Sequence, residues 1–526
     1  MPGNFSRGLA LFALCLWSLT PGLVAQQRTA TPSPGPALQH INAGMAALAQ
    51  KNSAVAIREF HSAIAADPGN AQAWFGLGSA LQTTTDLDGA IHAYQQAAAL
   101  RPDWAAAHDA LGVILGHRGN LLGARDEFEK AVKAEPANGI IHLHLGADLM
   151  LLQQAAQALP ELQQAARLAP AQPLAHYYLA MALEQRGDLA QALEQFAAAE
   201  KLSPNDALIH NSYGLALQED GDAAAAIEQF QKAISDNPNE AIYHNNLGLI
   251  YLSKGNGSSA IPEFQAAIRL NPAFVAARNN LGLVLLQKAQ WDDAITQFKA
   301  VIGQQPDDAE AYDNLGVALK QKQDYPAAIA ALQHATQLNP DLAEAHYTLG
   351  VILWQQGQLD EAATQFRAAI QARPDYERAH YILGAVLRQK GDLAAAAAEL
   401  KTALRLNPRD AGAHQALGMV YRQQKDLTSA QAEFQQAIAL NQALANTQAA
   451  TLSTNTGTEQ MDKGDVAGAI QKFREALKLD PDYAPAHYQL GLALLKQGDS
   501  AQAAAEFDRA NRLDRHLKPP RPKPGS

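Results

Sequence analysis

Histidine is the residue with the clearest capacity for chemistry in this 526-residue chain, because ten histidines recur in register. They are spaced by 34 residues or a multiple of 34, except that the last is displaced by five residues. Zinc needs imidazole nitrogens at about 2.0–2.1 Å, whereas neighbouring packed helices lie about 8–10 Å apart. We therefore expect these histidines to be structural, and we predict no metal and no cofactor. The ten are His40, His108, His142, His176, His210, His244, His346, His380, His414 and His487.

Sequence motifs for catalysis are missing from the chain. The phosphate-binding G-x-x-x-x-G-K-[ST], the nucleophile elbow G-x-S-x-G and the zinc-protease H-E-x-x-H do not occur. Acidic pairs such as Asp292–Asp293 and Asp307–Asp308 stand at predicted helix starts or turns, where helix capping accounts for them. We predict that the protein is not an enzyme.

Charge and cysteine content exclude several further classes. Lysine and arginine total 41 against 52 aspartate and glutamate, and the resulting net charge of −11 disfavours a nucleic-acid binder. Cys15 is the only cysteine, which excludes a disulfide framework and a cysteine-ligated zinc or iron–sulfur site. Hydrophobic residues make up 48% and charged residues 18%, a composition typical of globular proteins.

The first 25 residues have the pattern of a secretory signal peptide. Arg7 precedes an apolar run from Leu9 to Leu19, and small or apolar residues continue to Ala25. The run is shorter than the roughly 20 residues that a membrane span needs. We predict cleavage after Ala25, export to a periplasmic or extracellular location, and no membrane span in the mature protein. An uncleaved N-terminal membrane anchor is the alternative.

A period of 34 residues organises the rest of the chain. Eleven prolines follow one another at this interval, from Pro68 to Pro408. Aligned on them, the chain falls into fourteen repeats: twelve over residues 37–444 and two more over 450–517. Such a period indicates a solenoid. Residues 26–36 are predicted to be a flexible linker, and the basic, proline-rich residues 518–526 an extended tail.

Within the repeat, each recurrent position has a physical reason. Apolar residues at positions 7 and 11, and again at 20, 24 and 27, are three or four apart, which predicts two amphipathic helices per repeat. Glycine at position 8 and alanine at position 20 lack bulk and allow the two helices to approach closely. Proline at position 32 ends the second helix. The predicted fold is therefore all-α.

These residues resemble a tetratricopeptide repeat protein. A typical repeat here, AIYHNNLGLIYLSKGNGSSAIPEFQAAIRLNPAF from Ala241 to Phe274, carries the small, aromatic and proline positions of that family. The family's tryptophan at position 4 is present only as Trp74, and histidine usually replaces it. The resemblance implies a right-handed α-solenoid superhelix of about fourteen helix-turn-helix units. It also implies that the first helices line a concave groove that binds peptide or protein segments, without chemistry of its own.

The same resemblance implies that positions 2, 5, 6, 9, 12 and 13 face the groove. Asparagines, with one aspartate, fill positions 5 and 6 of successive repeats, and side-chain amides offer a donor and an acceptor to the backbone of an extended peptide. We call this set the asparagine ladder. It is similar to the ladder in the repeat domain of O-GlcNAc transferases, although this chain has no transferase domain. The asparagine ladder comprises Asn211, Asn245, Asn246, Asn279, Asn280, Asp313 and Asn314.

Two further stretches of the predicted groove flank the ladder. An apolar and aromatic stretch precedes it, formed by Leu143, Tyr177, Tyr178 and Met181. An aromatic and basic stretch follows it, and we expect it to hold an acidic or C-terminal segment through charge-assisted contacts. The second stretch consists of Tyr347, Trp354, Arg378, Tyr381, Arg388 and Arg422.

The repeat pattern is weakest over residues 441–460. Gln442 replaces the proline, residues 445–449 are inserted, and Thr456 and Gln460 replace leucines. Because solenoid stability is close to a sum of neighbour interfaces, we predict a hinge here between the twelve-repeat array and the two-repeat end. The last repeat also lacks a polar capping helix, so self-association through this C-terminal end is a further possibility.

Two functions fit these features. The first is a non-catalytic scaffold that binds extended protein segments in the groove, in an exported or envelope compartment. The second is a structural subunit of an envelope polysaccharide-export or outer-membrane assembly complex. Protein or peptide segments are the predicted partners, and nucleic acid is not expected.

Overall fold

The computed structural model describes residues 35–518, and all regular structure within them is helical. The predicted signal peptide, linker residues 26–34 and tail residues 519–526 lie outside the described residues. The helices are α1 Pro36–Ala49, α2 Ser53–Ala66, α3 Ala71–Gln82, α4 Leu87–Leu100, α5 Ala105–His117, α6 Leu121–Ala134, α7 Gly139–Leu151, α8 Ala155–Leu168, α9 Pro173–Arg186, α10 Leu189–Leu202, α11 Ala207–Asp220, α12 Ala223–Asp236, α13 Ala241–Ser253, α14 Gly257–Leu270, α15 Val275–Gln287, α16 Trp291–Gln304, α17 Ala309–Gln321, α18 Tyr325–Leu338, α19 Ala343–Gln355, α20 Leu359–Ala372, α21 Glu377–Lys390, α22 Leu393–Leu406, α23 Ala411–Gln423, α24 Leu427–Asp462, α25 Val466–Leu479, α26 Ala484–Gln497 and α27 Ser500–Leu513.

The helices follow one another in pairs, which confirms the predicted all-α repeat architecture. Helices of the first kind, such as α13, begin each repeat, and helices of the second kind, such as α14, complete it. Second helices also pack on the first helix of the next repeat, as α22 does on α23 and α25 on α26. The chain forms two compact bodies: the N-terminal body ends at Val284, and the C-terminal body begins at Leu285.

Short polar caps and glycine turns set the helix boundaries. The Asp392 side chain caps α22 by accepting the Ala395 amide at 3.1 Å, an N-cap that satisfies one otherwise unpaired donor. Gly391 ends α21 with φ 86°, in the left-handed region that other residues rarely adopt. Aspartate or asparagine at the start of a helix and glycine at its end therefore produce the same short turn in many repeats.

A glycine in the first helix of a repeat makes room for an aromatic ring from the second. The Phe264 ring is fully buried, and a Cβ at Gly248 would lie 2.6 Å from it. Gly112 and Phe128 repeat the arrangement, again at 2.6 Å. Thirteen of the fourteen repeats have glycine at this position, with Ala180 opposite Phe196 as the exception, because the ring fills much of the space where a Cβ would project. This contact brings the two helices of a repeat together.

The recurrent histidines hold each repeat to the preceding turn. His380 is buried, its Nδ1 lies 2.6 Å from a Glu399 carboxylate oxygen on the second helix, and its Nε2 lies 3.1 Å from the Pro374 carbonyl. In the repeat of His346 a glutamine, Gln365, takes the place of the glutamate, and its Oε1 lies 2.7 Å from the His346 Nδ1. Among residues 35–518 no group of three or more histidine, cysteine, aspartate or glutamate side chains is arranged to hold a metal. The ring therefore joins a first helix, its second helix and the turn before them.

The segment predicted to be a hinge is helical throughout. The inserted residues 445–449 lie inside α24, a single helix of 36 residues, so the second helix of the twelfth repeat runs on into the first helix of the thirteenth. Gln442 allows this because, unlike proline, it keeps its N–H and does not clash with the preceding turn. The chain therefore has one helix where two were expected. Flexibility at this point stays a prediction.

The glycine–aromatic contact predicts opposite effects for the same substitution at two sites. Gly248→Ala should lower the stability of the fold, because overpacking costs about 1–3 kcal/mol and exceeds the gain in helix propensity of about 1 kcal/mol. Gly303→Ala is the matched control, since a Cβ there meets nothing within 4 Å, and it should be stabilising. Urea unfolding followed by circular dichroism measures both. Stabilisation by both substitutions would show that the ring does not require the glycine.

Candidate peptide-binding surface

The candidate surface is the first-helix face, formed by positions 2, 5, 6, 9, 12 and 13 of the first helices. In the N-terminal body the asparagine ladder lies on α11, α13 and α15. The Asn246 Nδ2 donates to Asn211 Oδ1 at 2.8 Å, and the Asn280 Nδ2 donates to Asn245 Oδ1 at 3.1 Å. Each bond joins position 5 of one repeat to position 6 of the next. The amides of the ladder therefore bind one another across adjacent first helices.

Burial limits what these amides offer to a ligand. Asn245 and Asn246 are only 2% and 3% exposed, and Asn211 is also buried, whereas Asn279 and Asn280 are half-buried. The Asn279 Oδ1 has no hydrogen-bond partner within residues 35–518. This oxygen is thus a buried acceptor without a partner, and solvent does not reach it. The hydrogen bonds between ladder amides were not predicted from the sequence. The sequence feature that indicates them is the 35-residue spacing between position 5 of one repeat and position 6 of the next.

The same spacing joins other side chains on this face. The His144 Nδ1 lies 2.7 Å from Asp109 Oδ1, and the Tyr177 and Ser212 hydroxyls are 3.3 Å apart. Tyr177 and Tyr178 are nevertheless buried in the core with Leu143 and Met181. The apolar stretch expected on the groove surface is therefore core, because its rings pack between helices.

In the C-terminal body the ladder continues on α17 with Asp313 and Asn314, both half-buried. Burial raises the pKa of Asp313 to about 6, an effect increased by Glu344 and Glu310 and opposed by Lys320. The Asp313 Oδ1 has no partner within the described residues. A carboxyl group with this pKa can accept a hydrogen bond and, when protonated, donate one.

The aromatic and basic stretch lies on α19 and α21. The Tyr347 ring packs against the rings of Phe366 and Tyr376, with centroids 5.8 and 5.1 Å apart. Trp354 donates from Nε1 to Gln389 Oε1 at 2.9 Å, which again joins adjacent repeats. Both Tyr347 and Trp354 keep part of their surface exposed. The result is a rigid aromatic surface of amphipathic side chains.

Arginines stand beside these rings. Arg378 is exposed, whereas Arg388 is half-buried with its Nε buried and unpartnered in the described chain. Tyr381, also half-buried, lies on the same helix, and burial raises its pKa, as do the negative charges of Asp410 and Glu377, while Arg388 lowers it. An arginine N–H held away from water without an acceptor is an unsatisfied donor, whereas the exposed guanidinium of Arg378 can be reached by a ligand carboxylate.

Acidic groups also border this stretch. Burial raises the pKa of Glu377, and its hydrogen bond with Asp410 and the charge of Asp410 raise it further, while Arg378 lowers it. Glu344 is paired with Arg373, whose guanidinium lies 4.3 Å from the centre of the Tyr376 ring. Glu344 is thus already paired within the protein, whereas Arg378 is exposed.

A buried carboxyl group lies further towards the N-terminus. Asp148 on α7 is 1% exposed, and neither of its oxygens has a partner within residues 35–518. Burial raises its pKa to about 7, against the opposing effect of the Arg125 charge. The group is inaccessible to a ligand, so its effect is on stability.

Comparisons with known proteins agree with the helix pairs. Tetratricopeptide repeat family models match residues 47–114, 144–207, 457–498 and 484–516. A model of the C-terminal domain of cilia and flagella-associated protein 70 matches residues 203–454. Within residues 35–518 no helix has both the length and the hydrophobicity needed to cross a bilayer.

Individual relatives cover limited parts of the chain. The chain is 38% identical over 68 residues to Protein FlbA of Caulobacter vibrioides, a match spanning 13% of this chain and 11% of FlbA. MamA from Desulfovibrio magneticus RS-1 is 23% identical, with 32% of this chain and 96% of MamA covered and a TM-score of 0.31. YrrB, whose structure is described as a TPR protein with an unusual peptide-binding site, is 26% identical, with 41% and 95% covered and a TM-score of 0.28.

Asp148 predicts a dependence of stability on pH. Between its ordinary pKa of 3.8 and about 7 the folded chain holds a proton that the unfolded chain releases. The free energy of unfolding should therefore fall as pH rises through this window, by on the order of a few kcal/mol from this group. Asp148→Asn should remove that part of the slope and exceed the parent in stability at pH 8, as measured by urea unfolding.

A second aspartate supplies the control for this measurement. Asp508→Asn removes the same charge from an exposed position on α27 and should leave the pH slope of the parent unchanged. If Asp148→Asn kept the parental slope, Asp148 would not be a carboxyl group protonated in the folded state.

Proposed function

The chain belongs to the tetratricopeptide repeat family, and from this premise we propose that it is a non-catalytic scaffold that binds extended, acidic protein segments. The fold of this family supports protein–protein interaction in general. The binding site we propose is the part of the first-helix face on α19 and α21. The observation that carries this choice is the placement of exposed Arg378 on the same helix as half-buried Tyr381 and Arg388.

The side chains around Arg388 suit an extended acidic segment. Carboxylates of the segment would pair with Arg388 and with exposed Arg378, while its apolar side chains would pack on the accessible parts of Tyr347 and Tyr381. Charge-assisted hydrogen bonds of this kind are shorter and stronger than neutral ones. The aromatic rings add contact area at a low cost in side-chain entropy, because they are already held by their neighbours.

The asparagine ladder has a different part in this proposal. Its bonds Asn246–Asn211 and Asn280–Asn245 hold adjacent first helices in register, and a rigid register keeps the face ordered before a ligand arrives. Direct contact with a peptide backbone is proposed only for half-buried members of the ladder, Asn280 in the N-terminal body and Asn314 in the C-terminal body.

Export is the second element of the proposal. It is supported by the apolar run that follows Arg7 and ends near Ala25. Fusion of residues 1–36 to alkaline phosphatase, which is active only outside the cytoplasm, should give an active reporter. An inactive fusion would contradict export. If the protein is exported, its partner is an envelope or secreted protein. The alternative form of the same scaffold role is membership of an envelope polysaccharide-export or outer-membrane complex.

Binding of a defined probe tests the proposed surface. The probe is a short fluorescent peptide of alternating glutamate and phenylalanine with a free C-terminal carboxylate, measured by fluorescence anisotropy. Arg378→Gln/Arg388→Gln should weaken binding on the order of tenfold or more, since each hydrogen bond to a charged group contributes about 1.5–3 kcal/mol. A glutamine-for-glutamate peptide should bind weakly to both proteins.

The control variant changes the same charge elsewhere in the C-terminal body. Arg367→Gln/Arg405→Gln removes two exposed arginines from the second helices α20 and α22 and should leave the affinity near that of the parent. Equal losses in both double variants would mean that only net charge matters, and the proposed surface would be wrong.

A further inference from the structure

The long helix α24 leaves a packing position unfilled. At the neighbouring junctions a second helix ends in a turn and packs on the first helix of the next repeat, as α22 does on α23 and α25 on α26. In α24 these two helices are joined end to end. A straight helix cannot fold back on itself, so each half lacks the neighbour that its counterparts have.

Apolar side chains are exposed where those neighbours are missing. Leu427, Ile438 and Leu452 are 68%, 61% and 69% exposed, the highest values among large apolar residues in the described chain. At the repeat position of Leu452, by contrast, Ala413 and Ala486 are fully buried. The exposed residues therefore occupy positions that ordinary repeats cover.

These residues form one continuous stripe along α24. Leu427, Phe434, Ile438, Ala445 and Leu452 are spaced so that they recur on one side of the helix. Phe434 is half-buried, unlike the fully buried Phe366 and Phe473 at the same repeat position. The Arg422 guanidinium, 6.0 Å from the centre of the ring, covers part of it. We call this set the α24 stripe.

The α24 stripe is complementary to the same stripe of a second copy in the antiparallel orientation. Leu427 and Leu452 lie at equal distances from the middle of the stripe, between Ala439 and Leu440, and so do Phe434 and Ala445. Two antiparallel copies would place leucine opposite leucine, the large phenylalanine opposite the small alanine, and Ile438 opposite Asn441. A two-fold interface requires this kind of self-complementarity.

The charge distribution also favours a second copy of the chain as the partner that covers the α24 stripe. From Leu427 to Thr458 the only charged residue is Glu433, and it is bonded to His414 Nδ1 at 2.6 Å. In a chain of net charge −11 this is an unusually long neutral segment. Pairing it with its own copy therefore brings no unpaired like charges together.

We propose that the protein forms a two-fold symmetric dimer in which the α24 stripes of two copies pack antiparallel. Each copy then supplies the helix that the other lacks: the second-helix half of one α24 packs on the first-helix half of the other. Glu459 lies seven residues, or nearly two helical turns, beyond Leu452. It therefore falls past the end of the partner helix and stays in water. The inserted residues 445–449, together with Gln442 in place of the usual proline, give α24 the length that this mutual packing needs.

The test uses the full chain and its oligomeric state. Multi-angle light scattering should give a dimer at micromolar concentration. Ile438→Glu should convert it to a monomer with unchanged helical circular dichroism, because a carboxylate would be buried close to the axis, opposite Asn441 of the second copy, without a cation to pair with. Leu122→Glu is the matched control, since Leu122 is 57% exposed on another second helix, and it should remain dimeric.

A disulfide identifies the face and the orientation. In a Cys15→Ser background, Asn441→Cys lies beside the α24 stripe, close to the two-fold axis, and should form a disulfide-linked dimer on mild oxidation. Gln436→Cys, exposed on the other side of the same helix, should not. A monomeric parent, a dimer unaffected by Ile438→Glu, or equal cross-linking from both positions would each overturn the proposal. The second result would indicate association through another surface, such as the C-terminal end.

Discussion

The close contact between a glycine of the first helix and a ring or leucine of the second is the constraint on which the rest of the structure depends. Gly248 admits Phe264, and Gly316 admits Leu332, in each case where a Cβ would lie within 2.6 Å of the side chain. Because interiors are close-packed, this contact fixes the distance between the helices of a repeat. The histidine bonds to the second helix and the proline carbonyl then fix the position of the repeat against the preceding turn.

A fixed repeat spacing brings chosen side chains of successive first helices into register. The asparagine ladder uses that register for bonds within the protein, which leave little of its amide surface open. On α19 and α21 the same register places half-buried rings beside Arg378 and an unsatisfied Arg388. The paired amides of the ladder have little surface left for a ligand, whereas Arg378 is exposed beside half-buried rings. This difference is the reason to locate ligand binding on α19 and α21.

Most of the fold follows from local pattern, whereas the contacts of the site do not. The 34-residue period, the small residues and the turn glycines predict the helix pairs because each acts within one repeat. The Asn246–Asn211 bond joins two repeats, and Tyr177 turned out to be core, since both depend on how neighbouring helices meet. The continuous α24 had a local signal in Gln442, which lacks the helix-breaking ring of the proline it replaces. The missing neighbour of α24 became visible only in the packed structure.

The claim that the first-helix face of the C-terminal body binds extended acidic segments can be tested most directly by photo-crosslinking. A benzoylphenylalanine in place of Tyr381, on the proposed surface, is compared with one in place of Tyr325, which is also half-buried but starts a second helix. With the glutamate–phenylalanine peptide as ligand, position 381 should crosslink and position 325 should not. Equal crosslinking from both positions, or crosslinking from 325 alone, would contradict the account.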